Sequence, residues 1–330
     1  MMPHVPVLLK EVLYYLDPKP GDELIDCTLG DGGHSLAIFR KILPNGRILA
    51  IDLSQEAIER FKARSKKLKI EDKIILVQDN FKNLKKIALK HKFKKVTGIL
   101  LDLGLSTPLL EKSGRGFSFK RDEPLDMRYG KVQNALGPSR NGSRTKCKMQ
   151  NNLTAGDIID KWPEKELVRI FKEYGEERFA KPIAWGIIQE RRFKPIKTTF
   201  ELVSVIKKSI PKRYLRGSRH FATKTFQALR IAVNDELNNL REVLPQAVEI
   251  LAFQGRIAVI SFHSLEDRIV KIFFRRESKD CICPPEIPIC RCNHKTALKI
   301  ITKKPICPSE AERKSNPRSR SAKLRVAEKV

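Results

Sequence analysis

No stretch of the chain approaches the ~18 consecutive apolar residues of a membrane-spanning helix. Its first apolar stretch, Val5 to Leu16, is broken by Lys10 and Glu11, which does not fit a secretory signal. Both absences lead to the expectation of a cytoplasmic protein with no membrane partner. Acid is scarce: 38 Asp and Glu face 66 Lys and Arg, a net charge of +28. An excess of this size points to a polyanionic partner, nucleic acid foremost, with a merely solvated basic surface as the plain alternative. No strong basic amphipathic helix stands out, which disfavours membrane phosphates. Seven cysteines in such a chain read as thiols or metal ligands rather than a disulfide framework. There is no internal repeat. What remains is 330 residues, 41% of them hydrophobic, enough for one large or two smaller folded units with a real core.

The first hundred residues alternate short apolar runs with helical patterns. Strands are expected at Leu24 to Cys27, Arg47 to Ile51, Ile74 to Val77 and Val96 to Leu101. Helices are expected from about Ser35 to Leu43, and from a Ser54 cap to about Leu68. Strands spaced by helices of this length imply βαβ units and a parallel sheet. Residues 109–215 carry no comparable strand. Thr154 with Asp157 and Thr198 with Glu201 have capping-box spacing there, Pro163 suits a helix start, and 130–152 reads as a polar, flexible loop. Phe226, Leu229, Val233, Leu237, Leu240 and Leu244 then predict one long amphipathic helix. A fifth strand, Arg256 to Ser261, precedes a helix capped by Ser264 with Asp267 and reaching about Arg276. Two β-like stretches follow, Leu298 to Ile301 and Lys323 to Val326. The expectation is an α/β protein: a Rossmann-like sheet of the class I methyltransferase type with an inserted, mostly helical subdomain. The boundaries are 1–108 and 216–330 for the sheet domain and 109–215 for the insertion. Two extra strands at the end, one antiparallel, fit that class better than a dehydrogenase, by fold analogy alone.

Thr28-Leu29-Gly30-Asp31-Gly32-Gly33-His34 joins the first strand to the first helix. Glycines there allow a sharp turn and close approach to a ligand. Asp52, at the end of the second strand, can accept both hydrogen bonds of a ribose diol. The spacing is not that of a dinucleotide-binding loop, and Asp31 would repel a pyrophosphate. An acidic loop suits the cationic S-adenosylmethionine better. A plain glycine-rich turn is the alternative. Asp79-Asn80-Phe81 follows the third strand, where Phe81 can pack on an adenine ring or serve the core. Asp102, ending the fourth strand, lies where open α/β sheets bind ligands, though a capping role is open to it. Gln227, Arg230, Asn234 and Arg241 flank the apolar stripe of the long helix and either line a cleft or anchor neighbouring loops. His263 either orients a base or is a satisfied core histidine. Cys281, Cys283, Cys290 and Cys292 either hold a structural zinc, with His294 or Cys307 as substitutes, or stand as reduced thiols. The basic turn Asn316 to Lys323 either contacts phosphate or is a solvated loop.

These motifs resemble the bacterial 16S ribosomal RNA cytosine-N4 methyltransferases. The resemblance is carried by Thr28 to His34, Asp102 to Gly104, Arg115 to Phe119, Pro124 to Arg128, Tyr174 to Ala180, Phe226 to Leu237, Ser261 to Arg268 and Asn316 to Ala322. It spans nearly the whole chain, and the motifs are long. It implies S-adenosylmethionine as methyl donor, held against Gly32, Gly33, His34, Asp52, Phe81 and Asp102. It also implies 16S rRNA in the small ribosomal subunit as partner, with a homodimer allowed. Asp102, Ser106 and His263 are the candidates for work at the reacting base. The chain departs from the family pattern where Leu109 replaces a glutamine, at His220-Phe221, and in a longer loop after Tyr129. Three rivals remain. A DNA amino-methyltransferase would carry an Asp/Asn/Ser-Pro-Pro-aromatic tetrapeptide where this chain reads Asp102-Leu103-Gly104-Leu105. A nicotinamide oxidoreductase is disfavoured by the acidic loop. A non-catalytic RNA-binding protein would not bind the methyl donor.

Overall fold

A computed structural model describes residues 5–130, 153–216, 220–284, 286 and 289–330. The loop expected over 130–152 lies almost wholly outside them. The described residues form two compact units, Met1–Leu105 with Leu237–Val330, and Ser106–Glu236.

The first unit opens with α1 (Leu9–Leu16) and then alternates β1 (Glu23–Asp26), α2 (Gly33–Ile42), β2 (Arg47–Asp52), α3 (Gln55–Leu68), β3 (Ile74–Gln78), α4 (Leu84–Lys90) and β4 (Val96–Asp102). The helical unit supplies α5 (Thr107–Lys112), α6 (Ala155–Lys161), α7 (Glu164–Glu173), α8 (Ala180–Phe193), α9 (Thr199–Ser209) and α10 (Thr223–Asn234). The chain returns through α11 (Glu236–Ile250), β5 (Leu251–Ser261), α12 (Ser264–Glu277), β6 (Leu298–Ile300), α13 (Glu310–Ser315) and β7 (Lys323–Lys329).

The seven strands form one sheet in the order β3-β2-β1-β4-β5-β7-β6. The first five are parallel, whereas β7 runs antiparallel to both β5 and β6. Alternation along each strand divides the core between two faces. Ile25, Leu49, Ile51, Ile99, Leu101, Ile257 and Val259 pack with Leu84 and Ile87 of α4, Leu240 and Leu244 of α11, and Phe274 of α12. Leu24, Ile48, Ala50, Leu100, Ala258 and Ile260 face the other way, against Val12, Leu36, Phe39, Ile58 and Phe61. Chain order reverses between β1 and β4. That is the switch point at which an open parallel sheet leaves a crevice beyond its carboxyl ends.

Both expected capping boxes in the helical unit form. Thr154 accepts from the Asp157 N–H and Thr198 from the Glu201 N–H, with each acid returning a bond to its cap. Leu167, Ile170 and Phe171 of α7, Ile183 and Ile187 of α8, and Leu202 and Ile206 of α9 are buried.

The single long helix expected from Phe226 to Leu244 is two helices. Asp235 adopts φ 52°, ending α10, and α11 starts at once. Asp and Asn tolerate this left-handed conformation better than other non-glycine residues. Because the apolar spacing continues on both sides, the break is invisible to periodicity. It also sets the second boundary between the compact units, so α10 belongs with the helical unit and not with the returning sheet. Of the four polar residues beside the stripe, two anchor neighbouring segments and two pair locally. Gln227 Nε2 donates to the Tyr174 carbonyl at 2.9 Å and Asn234 Nδ2 to the Met127 carbonyl at 2.7 Å. Arg230 pairs with Glu236 at 2.8 Å, and Arg241 reaches Asn238 within its own helix.

Candidate functional site

The carboxyl ends of β1, β2 and β4 each finish in an aspartate: Asp26, Asp52 and Asp102. Asp26 was not singled out by the sequence, because it ends a run that reads as apolar. It is 2% exposed; its Oδ2 accepts from Ser35 Oγ at 2.6 Å and its Oδ1 from the Thr28 N–H at 3.1 Å. Burial pushes its carboxyl up from 3.8, against the Ser35 bond and the nearby His34 ring, and the neighbouring Asp102 adds to the rise. Asp52 accepts the Gly30 N–H on Oδ2 and the Ser54 N–H on Oδ1, both at 2.8 Å. Burial again raises it, more than these two bonds lower it. Each Asp52 oxygen keeps a further acceptor site.

Asp102 is fixed from its backbone: its N–H donates to Thr28 Oγ1 at 2.6 Å. Its Oδ2 lies 3.6 Å from His34 Nε2, and its Oδ1 is buried with no hydrogen-bond partner among the described residues. His34, in the first turn of α2, is 6% exposed, and neither ring nitrogen has a hydrogen-bond partner there. Buried polar atoms left this way are costly unless a ligand or water completes them.

The glycines have local work. Gly32 caps α2 at φ 71°, and a side chain there would strike the Phe61 ring; one at Gly33 would strike Pro6. Both positions let α3 and the chain before α1 close over the loop. Asp31 points elsewhere than expected. Its carboxylate sits 3.4 Å from Arg60 and its carbonyl accepts from Arg64, so its charge is answered on α3. Phe81 is half-buried at the start of a 3-10 turn, packed on the edge of the core, with Asp79 bracing the turn through Asn83.

The residues expected to cap α12 are displaced by one. His263, not Ser264, is the cap: its Nδ1 accepts from the Glu266 N–H, and Glu266 Oε2 takes the Phe262 and His263 N–H groups. Glu266 Oε1 lies 3.1 Å from His263 Nε2. Asp267 instead binds Arg325 at 2.6 Å. Ser106 precedes α5 and makes no side-chain cap bond; Leu109 lies within α5 and is half-buried.

Within the helical unit the quoted motifs are stitched together. Arg115 donates to the Arg128 and Tyr129 carbonyls, Glu123 accepts the Gly116 N–H at 2.9 Å, and the Tyr129 hydroxyl donates to Glu236 at 2.6 Å. The sulfurs of Cys281, Cys283, Cys290 and Cys292 all lie within 4.8 Å of one another. His294 Nε2 is instead 3.1 Å from the Arg276 carbonyl, and Cys307 is outside the group. No described helix is long and apolar enough to cross a membrane.

A parallel sheet wound on both faces, an antiparallel closing strand, and a carboxylate at each strand end around the switch point define a class I methyltransferase. The chain belongs to the MraW methylase family, whose sequence model matches residues 1–137 and 145–330. It is 48% identical over 330 residues to the ribosomal RNA small subunit methyltransferase H of Halothermothrix orenii, covering 100% of this chain and 99% of that one. It is 47% identical over 328 residues to the protein of the same name from Heliobacterium mobile, covering 99% of each. Against that of Brevibacillus brevis it is 45% identical over 327 residues, 99% of this chain and 98% of the other.

Proposed function

We propose that the chain transfers a methyl group from S-adenosylmethionine to the exocyclic amine of one cytosine in 16S rRNA of the small ribosomal subunit. The observation that carries the cofactor is the trio of strand-end aspartates, Asp26 buried and Asp52 and Asp102 half-buried, none of them ion-paired to Lys or Arg among the described residues, with Asp102 Oδ1 and His34 unpartnered. That donor set fits a ligand bearing positive charge and hydroxyls. The RNA substrate comes from the relatives, all three named for it.

S-adenosylmethionine supplies an electrophilic methyl group with its leaving group built in. The protein's part is binding and alignment. Asp52 offers the acceptor sites its backbone bonds leave free to the ribose hydroxyls. Asp102, with His34, offers its free oxygen to the cationic end, while Asp26 holds the loop through Ser35 and adds negative potential. Phe81 lends a face to the adenine, and Gly32 and Gly33 keep the loop tight. Leu109 offers no hydrogen bond, so binding rests on the aspartates.

A cytosine amine is a poor nucleophile because its lone pair is delocalised into the ring. An acceptor on its N–H localises that pair and stabilises charge as it develops. His263 gives its Nδ1 to the α12 cap while its Nε2 is buried without a hydrogen-bond partner among the described residues, so His263, Ser106 or a backbone carbonyl is the candidate for this positioning. The base must be unstacked to react. Exposed Lys197, Lys207, Lys212, Arg213 and Arg320 would hold phosphates, and this requires binding that falls steeply with salt. Such a substrate sets the work in the cytoplasm.

Transfer of labelled methyl to small subunits lacking their native methylations tests the reading. Label on one 16S cytosine is the expected result. Cofactor binding without label would redirect the enzyme to another nucleic acid, and no cofactor binding would overturn the reading.

A further inference from the structure

The chain leaves α12 after Glu277 and reaches β6 at Leu298. Among the described residues between them there is no helix or strand, and none is buried. The foot of this excursion is tied: the Ala297 N–H donates to the Glu277 carbonyl at 2.9 Å, and Thr296 Oγ1 donates to Asp280. Beyond the foot no described residue supplies an apolar core to offset the entropy of ordering the chain. Excursions of this length without structure of their own are uncommon in compact domains.

Two Cys-x-Cys hooks face each other at its tip. The Cys290 and Cys292 sulfurs are 3.6 Å apart, and those of Cys292 and Cys281 are 3.8 Å apart. A disulfide would need about 2.05 Å. Four thiolates around a tetrahedral zinc at about 2.3 Å stand about 3.8 Å from one another. Three backbone N–H groups also point at these sulfurs, each at 3.4 Å: Ile282 at Cys292, Cys283 at Cys281, and Arg291 at Cys283. Such bonds steady thiolate ligands from outside the metal shell. Lys279, Arg291 and Lys295 sit beside the hooks in sequence and would offset the net negative charge of a tetrathiolate centre.

We propose that Cys281, Cys283, Cys290 and Cys292 bind one structural zinc ion, which replaces the missing core of the 278–297 excursion. The ion closes both hooks at once and leaves no open coordination position, as in structural rather than catalytic zinc sites. The proposal is independent of the methyl-transfer reading, since no atom of the strand-end aspartates takes part.

The full chain, purified reduced and without chelator, is assayed for metal and then exchanged with cobalt(II). The expected results are about one zinc per chain and the intense visible bands of a tetrahedral tetrathiolate cobalt site. Cys283→Ser with Cys292→Ser should cut bound zinc to below about a tenth. Stripping the metal from the wild type should speed proteolysis within 278–297. Four freely reacting thiols with no bound metal after zinc loading would overturn the proposal. So would iron with acid-labile sulfide, a six-coordinate cobalt spectrum, or proteolysis unchanged by metal removal.

Discussion

The two compact units treat their acids in opposite ways. In the helical unit, burial would lift Asp126, but the Arg128 guanidinium binds both its oxygens and holds it below the usual range. Lys161 and Thr154 bring Asp157 down to about 2, and Lys194 with the Lys197 N–H brings Glu201 down to about 2. In the sheet unit, Asp26 and Asp52 go up, because burial outweighs their hydrogen bonds and the weaker pull of His34 on Asp26 and of Arg60 on Asp52. Asp267 shows that the sheet unit can answer an acid when it needs to. Burial works to raise it, yet Arg325 and Lys323 hold it low. An acid matched to a cation is finished structure. In the proposed function, the raised pair beside Asp102 would be matched by charge that arrives with a ligand.

The largest effect should come from Asp102→Ala. Methyl transfer should fall about 100- to 1000-fold while the melting temperature barely moves. An equal fall in melting temperature and activity would make Asp102 a structural residue like Asp267. Asp267→Ala is the converse case. Removing one partner of its largely buried pair with Arg325 should cost about 3 kcal/mol in a denaturant titration, with adenosylmethionine affinity intact. Asp52→Ala should weaken that affinity about tenfold or more, since hydrogen bonds to charged groups contribute about 1.5–3 kcal/mol each.

Acidity sharpens the contrast. A carboxyl raised by burial binds its proton more readily folded than unfolded. Asp26 and Asp52 therefore cost stability as pH climbs from 3.8 through their raised values, and a bound cation relieves that cost. Adenosylmethionine should accordingly bind more tightly as pH rises through that window; calorimetric titrations at several pH values would measure it. Asp157 and Glu201 run the other way: their contribution is present above the usual carboxylate range and is lost as pH falls toward about 2. The smallest effects belong to the caps beside them. Thr154→Ala and Thr198→Ala should each cost about 1 kcal/mol by thermal unfolding.

Much of this was legible before the structure. Strands separated by helices required a parallel sheet, and Asp52 and Asp102 do end the second and fourth strands. What stayed hidden depended on partners far away in sequence. Two pairs spaced by three residues, His263 with Glu266 and Ser264 with Asp267, fit the same helix start. Only the approach of Arg325 to Asp267 decides between them. Asp31 looked like the acid of the site until Arg60 and Arg64 of α3 met it. Asp26 was passed over because one polar residue in a short apolar run reads as noise. Its bond to Ser35, across the glycine loop, gives it meaning. The break at Asp235 leaves the apolar spacing intact on both sides. The spacing of the four cysteines left zinc and free thiols open, and that their sulfurs converge to within 4.8 Å of one another could not be read from spacing.

The most direct test of the central claim is calorimetric titration of S-adenosylmethionine into the wild type and into Asp102→Asn, which keeps the shape and removes the charge. Tight binding to the wild type, weakened about tenfold or more in the variant, is the predicted result. Equal affinity for both proteins, or no binding to either, would contradict the claim that the unanswered carboxylates at the strand ends hold the methyl donor.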